Sequence, residues 1–190
     1  MISGHGVQID DDGWLPGARQ RPSPYCDDRP PGTPVALLVI HNISLPPGEF
    51  GGTWIDDLFL GQLDPAAHPY FPLACAAGPV STHLLIRRDG DLIQYVPFER
   101  RAWHAGRSSF AGRERCNDFS IGVELEGTDD RPFEPAQYQV LARCTQAILT
   151  RYPAITPARI AGHSDIAPDR KTDPGPCFDW GRYRGMIAGY

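Results

Sequence analysis

The sequence predicts a single α/β domain in which a central mixed β-sheet is flanked by α-helices and carries long functional loops. Three observations predict it. The apolar run "VALLVIHN" (35–42) is too short for most helices and fits a strand buried on both faces. The pair Asp89-Gly90 joins two apolar segments in the way a hairpin turn does. "EPAQYQVLARCTQAILTRYP" (134–153) repeats apolar residues at helical spacing. Strand, hairpin, strand and then helices is a mixed order that requires helices packed on the faces of one sheet.

The elements follow in order. Residues 1–34 are dense in Pro, Gly, Arg and Asp without a sustained period, which predicts an extended lead-in packing on a domain that spans 1–190. His41 closes the 35–42 strand. Residues 44–80 read as mostly loop, with a short helix over "TWIDDLFL" (53–60), and a connection that long is usually functional. Strands are expected at about 82–88 and 91–97, on either side of the Asp-Gly turn. In "DFSIGVELEG" (118–127), Phe119, Ile121, Val123 and Leu125 alternate with Ser120, Gly122, Glu124 and Glu126, which puts both glutamates on one face. Pro135 suits the first turn of the 134–153 helix and Pro153 stops it. A further helix starts at Asp179 and includes Trp180, Tyr183 and Ile187. "GHSDIAPDRKTDPGP" (162–176) holds three prolines, at 168, 174 and 176, and reads as an irregular loop.

A chain of 190 residues with no break in composition supports one core. The formal charge of −5 opposes a broad basic surface, so nucleic acid is not an expected partner. No apolar run approaches the roughly 20 residues needed to span a bilayer, and no charged segment followed by an apolar one opens the chain. A soluble, cytoplasmic protein without membrane contact is therefore expected. Five cysteines, an odd number with no C-x-x-C pair, predict free thiols in a reducing compartment rather than a disulfide framework.

Chemistry is expected from the histidines and from the 162–176 loop. His41 ends a buried strand, where open α/β sheets collect ligands. A catalytic zinc site takes three ligands from His and carboxylate and leaves a fourth position to water, a set that His41, His163 and Asp173 supply. Spacing alone does not fix this choice. An Asp-Pro-Gly turn accounts equally for Asp173, and His83 and His104 are rival ligands. His83 shares a strand face with Leu85, which suits the core edge, while His104 in "RAWHAG" suits contact with a bound molecule; His5 and His68 receive no role. Glu124 and Glu126 read as a solvated strand face, or as a proton-transfer group if that face lines a cleft. Lys171 is either a solvated lysine or a fixed positive charge beside a developing oxyanion.

Several segments together closely resemble the AmpD-type cytosolic anhydro-N-acetylmuramyl-L-alanine amidases: "VIHNISLPPGEFGG", "LIRRDG", "QYVPF", "RAWHAG", "RERCNDFSIGVELEGT", "TRYPAI" and "GHSDIAPDRKTDPGP". The likeness runs from about Gly13 to Tyr183. It implies Zn2+ held by His41, His163 and Asp173, with Glu124 as catalytic glutamate and Lys171 assisting at the metal. It implies substrate contacts in the segments holding Asn42, Trp103, His104 and Arg115. The implied reaction is hydrolysis of the amide between the lactyl group of (anhydro-)N-acetylmuramic acid and L-alanine in peptidoglycan recycling. The implied partner is an anhydromuropeptide, with no obligate protein partner. The fold implied is the one shared with phage amidases and peptidoglycan recognition proteins. Where some relatives carry a basic residue before the hairpin this chain reads "ACAAGPV", so a second cationic contact to the stem peptide is not carried over. A non-catalytic muropeptide sensor and a phage or wall-lytic amidase are the alternatives on the same scaffold. The sensor is expected to lack part of the ligand, Glu124 and Lys171 set, all of which is present here.

Overall fold

The structure, a computed structural model, describes residues 8–188, so His5 lies outside the described residues. In chain order the lead-in contributes two short strands, β1 (Arg19–Gln20) and β2 (Cys26–Asp28). The apolar run forms β3 (Leu37–Ile43), which starts two residues later than expected and extends past His41 to Ile43. Residues 44–80 hold α1 (Trp54–Phe59) and a second helix that the sequence reading missed, α2 (Phe71–Ala76). The hairpin is β4 (Leu84–Ile86) with β5 (Leu92–Gln94), shorter than expected, and Gly90 supplies the positive φ of 88° in its turn. β6 (Arg100–Ala102), β7 (Ser109–Phe110) and β8 (Arg113–Glu114) follow, and then β9 (Ser120–Glu126). The long helix is α3 (Pro135–Arg151), begun by Pro135 and a capping box between Glu134 and Gln137. β10 (Ile160–Gly162), α4 (His163–Ile166) and α5 (Trp180–Ile187) complete the chain, and the Asp179 carboxylate caps α5 by accepting from the Arg182 N–H.

These strands form a six-stranded mixed sheet in the order β1-β5-β4-β9-β3-β10. β9 is central, parallel to both β3 and β4, and β10 is parallel to β3. One face carries Leu38, Ile40, Ile121, Val123 and Leu125 and packs against the apolar sides of α3 and α5. Each fully buried Leu or Ile there contributes about 1.5–3 kcal/mol. The Tyr183 hydroxyl, buried in the same layer, bonds to Thr145 Oγ1 at 2.7 Å.

The opposite face is where sequence alternation alone gives the wrong impression. The side of β9 that bears Ser120, Gly122, Glu124 and Glu126 is buried, not solvated. Two apolar clusters cover it from either end. Ile55 and Phe59 of α1 and Phe71 of α2 pack on Leu85, Ile93 and Tyr95. Ala105, Cys116 and Ile166 pack on Leu37, Val39 and Ala161. Between them lies a polar strip containing His41 and its register partner Glu124. At the carboxyl end of β9, Glu126 accepts from Arg87 Nη1 at 2.9 Å and from the Gly51 N–H at 2.7 Å, and Arg87 Nη2 reaches the buried Asp56 at 3.0 Å. That ion network pins the start of the 44–80 segment onto the sheet. The lead-in is likewise fastened: Leu15 is in the core, β1 pairs with β5 and β2 with β6.

Candidate metal centre

The chain brings three ligand atoms together from two parallel strands and a returning loop. β10 pairs with β3 so that Gly162 lies beside Ile40, which sets His163, the first residue of α4, next to His41. The 162–176 segment is therefore not irregular throughout: its first four residues after Gly162 precede any proline and close one helical turn. The loop then folds back, the Ser164 N–H donating to the Asp173 carbonyl at 2.9 Å. Gly162 makes this return possible, because a Cβ there would come within 2.8 Å of the Pro174 ring. Asn42 holds the far side, its amide nitrogen donating to Asp129 Oδ1 at 2.7 Å and to the Pro174 carbonyl at 3.1 Å.

His41 Nδ1 and His163 Nδ1 end 2.9 Å apart, and Asp173 Oδ2 is 3.1 Å from each. A tetrahedral zinc ion with bonds of about 2.0–2.1 Å needs ligand atoms roughly 3.3 Å apart, so the spacing fits with little adjustment. The donor chemistry also fits. His163 Nε2 faces the Ala105 carbonyl at 3.2 Å; a carbonyl can only accept, so the proton is on Nε2 and the Nδ1 lone pair points inward. Burial pushes the His41 imidazolium pKa down to about 4, against the raising effect of Asp173, so His41 is a neutral ligand. Burial alone would raise the Asp173 carboxyl, but the His163 and His41 rings facing it hold it well below the usual carboxylate range. A neutral His41, a His163 whose Nδ1 faces inward and an ionised carboxylate are the donor set that zinc requires.

Glu124 stands beside this cluster on β9, between His41 of β3 and Leu85 of β4 in register. It is buried, and its Oε2 has no hydrogen-bond partner. Burial pushes its pKa well above the usual value; the Asp173 charge adds to that and Lys171 opposes it. Lys171, half-buried, is close enough for its charge to act on both Glu124 and His41.

The remaining sequence candidates divide. Trp103 is half-buried, stacked on Tyr25 with its indole N–H given to Asp27 at 3.1 Å. Arg115 is exposed, lies beside Asp118 at 3.1 Å, and lines a groove of about 440 Å³ next to α4. His104, read as a contact to a bound molecule in the "RAWHAG" loop, is buried behind His41, with Nδ1 2.9 Å from His41 Nε2 and Nε2 3.1 Å from Ser120 Oγ. Gly122 makes the room, since a Cβ at that position would approach the His104 ring to 2.5 Å. His83 is in the core as expected for its strand, its Nδ1 accepting the Gly122 N–H at 3.0 Å, and takes no part in the cluster. Ser120, Gly122 and Asn117, whose Oδ1 accepts from the N–H groups of His104 and Ala105, were missed from sequence. A glycine in the middle of the alternating "SIGVELE" was the available signal.

A family model described as N-acetylmuramoyl-L-alanine amidase matches residues 31–176. The chain belongs to the N-acetylmuramoyl-L-alanine amidase family. The match takes in His41, Glu124, His163, Lys171 and Asp173. Among curated members of this amidase family, the chain is 63% identical to the 1,6-anhydro-N-acetylmuramyl-L-alanine amidase AmpD of Citrobacter freundii, over 94% of each protein. A crystal structure of a selenomethionine AmpD derivative superposes with a TM-score of 0.90 at 63% identity, covering 93% of this chain and 98% of that one. The amidase AmiD from E. coli, solved in complex with the substrate anhydro-N-acetylmuramic acid-L-Ala-D-gamma-Glu-L-Lys, matches with a TM-score of 0.60 at 31% identity, covering 95% of this chain and 65% of that one.

Proposed function

We propose that the protein hydrolyses the amide between the lactyl group of anhydro-N-acetylmuramic acid and L-alanine, in the recycling of peptidoglycan fragments. The observation that carries this reading is the unpartnered Glu124 oxygen beside three converging lone-pair donors. His41, His163 and Asp173 would hold a zinc ion, which would supply a Lewis acid to polarise the scissile carbonyl and acidify water. With two imidazoles and one carboxylate such a centre would be formally +1, which would preserve that acidity. Glu124 takes the proton of the attacking water and passes it to the leaving L-alanine nitrogen, so that one water is consumed and a carboxylic acid and an amine are released. Lys171 lends a fixed positive charge to the oxyanion that develops at the former carbonyl.

Trp103 and Arg115 are assigned to the substrate, Arg115 as a cation for the stem-peptide carboxylates. Asn42 has its amide nitrogen spent on Asp129 and Pro174, and is assigned to holding the Asp173 loop. Five free cysteines fit a reducing compartment, and we place the protein in the cytoplasm. Incubation with purified anhydromuropeptide, with and without chelator, followed by mass analysis, tests the assignment. Free stem peptide released only without chelator is expected. Binding without release would favour a muropeptide sensor, and release from intact cell wall in preference to the soluble fragment would favour a wall-lytic enzyme.

A further inference from the structure

We propose that His104 is a positioning residue for the metal centre: a neutral imidazole whose Nδ1 accepts the His41 Nε2–H and thereby turns the His41 Nδ1 lone pair toward His163 and Asp173. The inference rests on reading His41, His163 and Asp173 as the zinc ligands. It concerns which nitrogen of His41 carries the proton, a choice that the outer nitrogen's partner decides.

The geometry points to His104 because everything around its ring fixes its orientation. Asn117 Oδ1 accepts from the backbone N–H groups of His104 and Ala105, at 3.1 and 2.8 Å, which anchors the loop. The ring lies over Gly122, where any side chain would collide with it. Its Nε2 meets Ser120 Oγ at 3.1 Å and its Nδ1 meets His41 Nε2 at 2.9 Å, with the two rings nearly perpendicular at 87°. Two proton arrangements satisfy this Ser120–His104–His41 row. In one, protons point outward from the site: His41 Nε2–H donates to His104 and His104 Nε2–H donates to Ser120. In the other, each proton is on the opposite nitrogen and His41 presents N–H to Asp173. Only the first binds a cation, and a serine oxygen able to accept from His104 permits it.

The outer partner of a metal-bound imidazole is commonly a carboxylate or a backbone carbonyl, and a carboxylate would push electron density onto the ligand. Here His163 has a carbonyl and His41 has a neutral ring. Neither choice adds negative charge, so a metal held there would keep its ability to polarise a carbonyl.

Zinc dissociation constants from chelator competition, measured beside urea unfolding of the zinc-free proteins, test this. His104→Phe keeps a ring of similar size without an acceptor, and zinc affinity is expected to fall about 10-fold to 100-fold. His104→Asn returns an acceptor oxygen near the Nδ1 position and is expected to recover most of that loss. Ser120→Ala should weaken zinc by a smaller factor, and should weaken it no further when His104 is already Phe. In zinc-loaded wild type a slowly exchanging, downfield His41 Nε2 proton is expected by NMR, and it should be lost in His104→Phe. Wild-type zinc affinity in His104→Phe, or independent additive effects of the His104 and Ser120 changes, would overturn the proposal. If His104→Phe does not fold, His104→Asn and Ser120→Ala decide: Ser120→Ala with unchanged zinc affinity and an unchanged His41 resonance rejects it. If wild type itself binds no zinc, the ligand assignment fails, a result distinct from any of these.

Discussion

Replacing Glu124 by Gln separates the catalytic demand on this residue from the demands of folding. The carboxyl is buried and its Oε2 is unpartnered, so in the zinc-free protein the folded state holds the proton to a much higher pH than the unfolded chain does. The acid's contribution to stability is therefore complete below the unfolded pKa, near 4.5, and is lost as pH rises toward the folded value. Each pH unit crossed between the two values removes about 1.4 kcal/mol. Gln has no such titration. Wild type and Glu124→Gln should thus be most alike near pH 4, and the variant should gain on wild type by about 1.4 kcal/mol per pH unit above that, levelling off at the folded pKa. For a domain of this size each 1 kcal/mol is roughly 2–4 °C in Tm. Urea unfolding of chelated protein at a series of pH values measures the difference directly. Saturating zinc should flatten the slope, since a nearby cation favours the ionised acid. Turnover on anhydromuropeptide should fall by about 10²-fold to 10⁴-fold, with zinc binding retained. Stability curves that run parallel from pH 4 to 8, or a variant less stable at every pH, would refute the argument that Glu124 is held in place against its own solvation.

Lys171→Ala should lower turnover by about 10²-fold to 10³-fold while leaving zinc bound, which metal analysis and kinetics on the same preparation check. Glu126→Ala strips Arg87 of one of its two buried carboxylates and leaves the Gly51 N–H without its acceptor. A loss of about 3–5 kcal/mol in urea unfolding is expected, and Glu126→Gln should recover part of it.

The parts of the fold that show in the sequence are those with a local cause. β3 and β9 declare themselves by apolar run and alternation, α3 by its period and Pro135, α5 by the Asp179 cap, and the hairpin by Asp89-Gly90. The parts that do not show are stabilised from elsewhere. β1 and β2 are two and three residues long and exist because β5 and β6 offer them a ladder. α2 is one and a half turns held by Phe71 in a cluster formed with Leu85 and Ile93, which are distant in sequence. The ligand set was suggested by residue type and made specific by family likeness, since no spacing rule relates His41 to a partner 122 residues away. The burial of the Glu124 face was open for a different reason: alternation tells which residues share a face but not what covers it. The burial of His104 was hidden by the same gap, because a loop sequence does not reveal that a glycine on a neighbouring strand has left it a seat.

The polar strip on the buried face of the sheet explains why the reaction occurs where it does. Glu126 is satisfied by Arg87 and the Gly51 N–H, Asp56 by Arg21, Arg87 and the Tyr95 hydroxyl, and His104 by Ser120 and His41. A buried face that meets this rule almost everywhere breaks it at the Glu124 oxygen, which has no donor and stands beside the converging atoms of His41, His163 and Asp173. His41, His163 and Asp173 would hold a divalent ion there, which would supply a Lewis acid beside the unpartnered Glu124 carboxyl. Side chains that merely stabilise the sheet would have been paired like Glu126, and the contrast between Glu124 and Glu126, two residues apart on one strand face, is the strongest physical reason to assign catalysis to the first and architecture to the second.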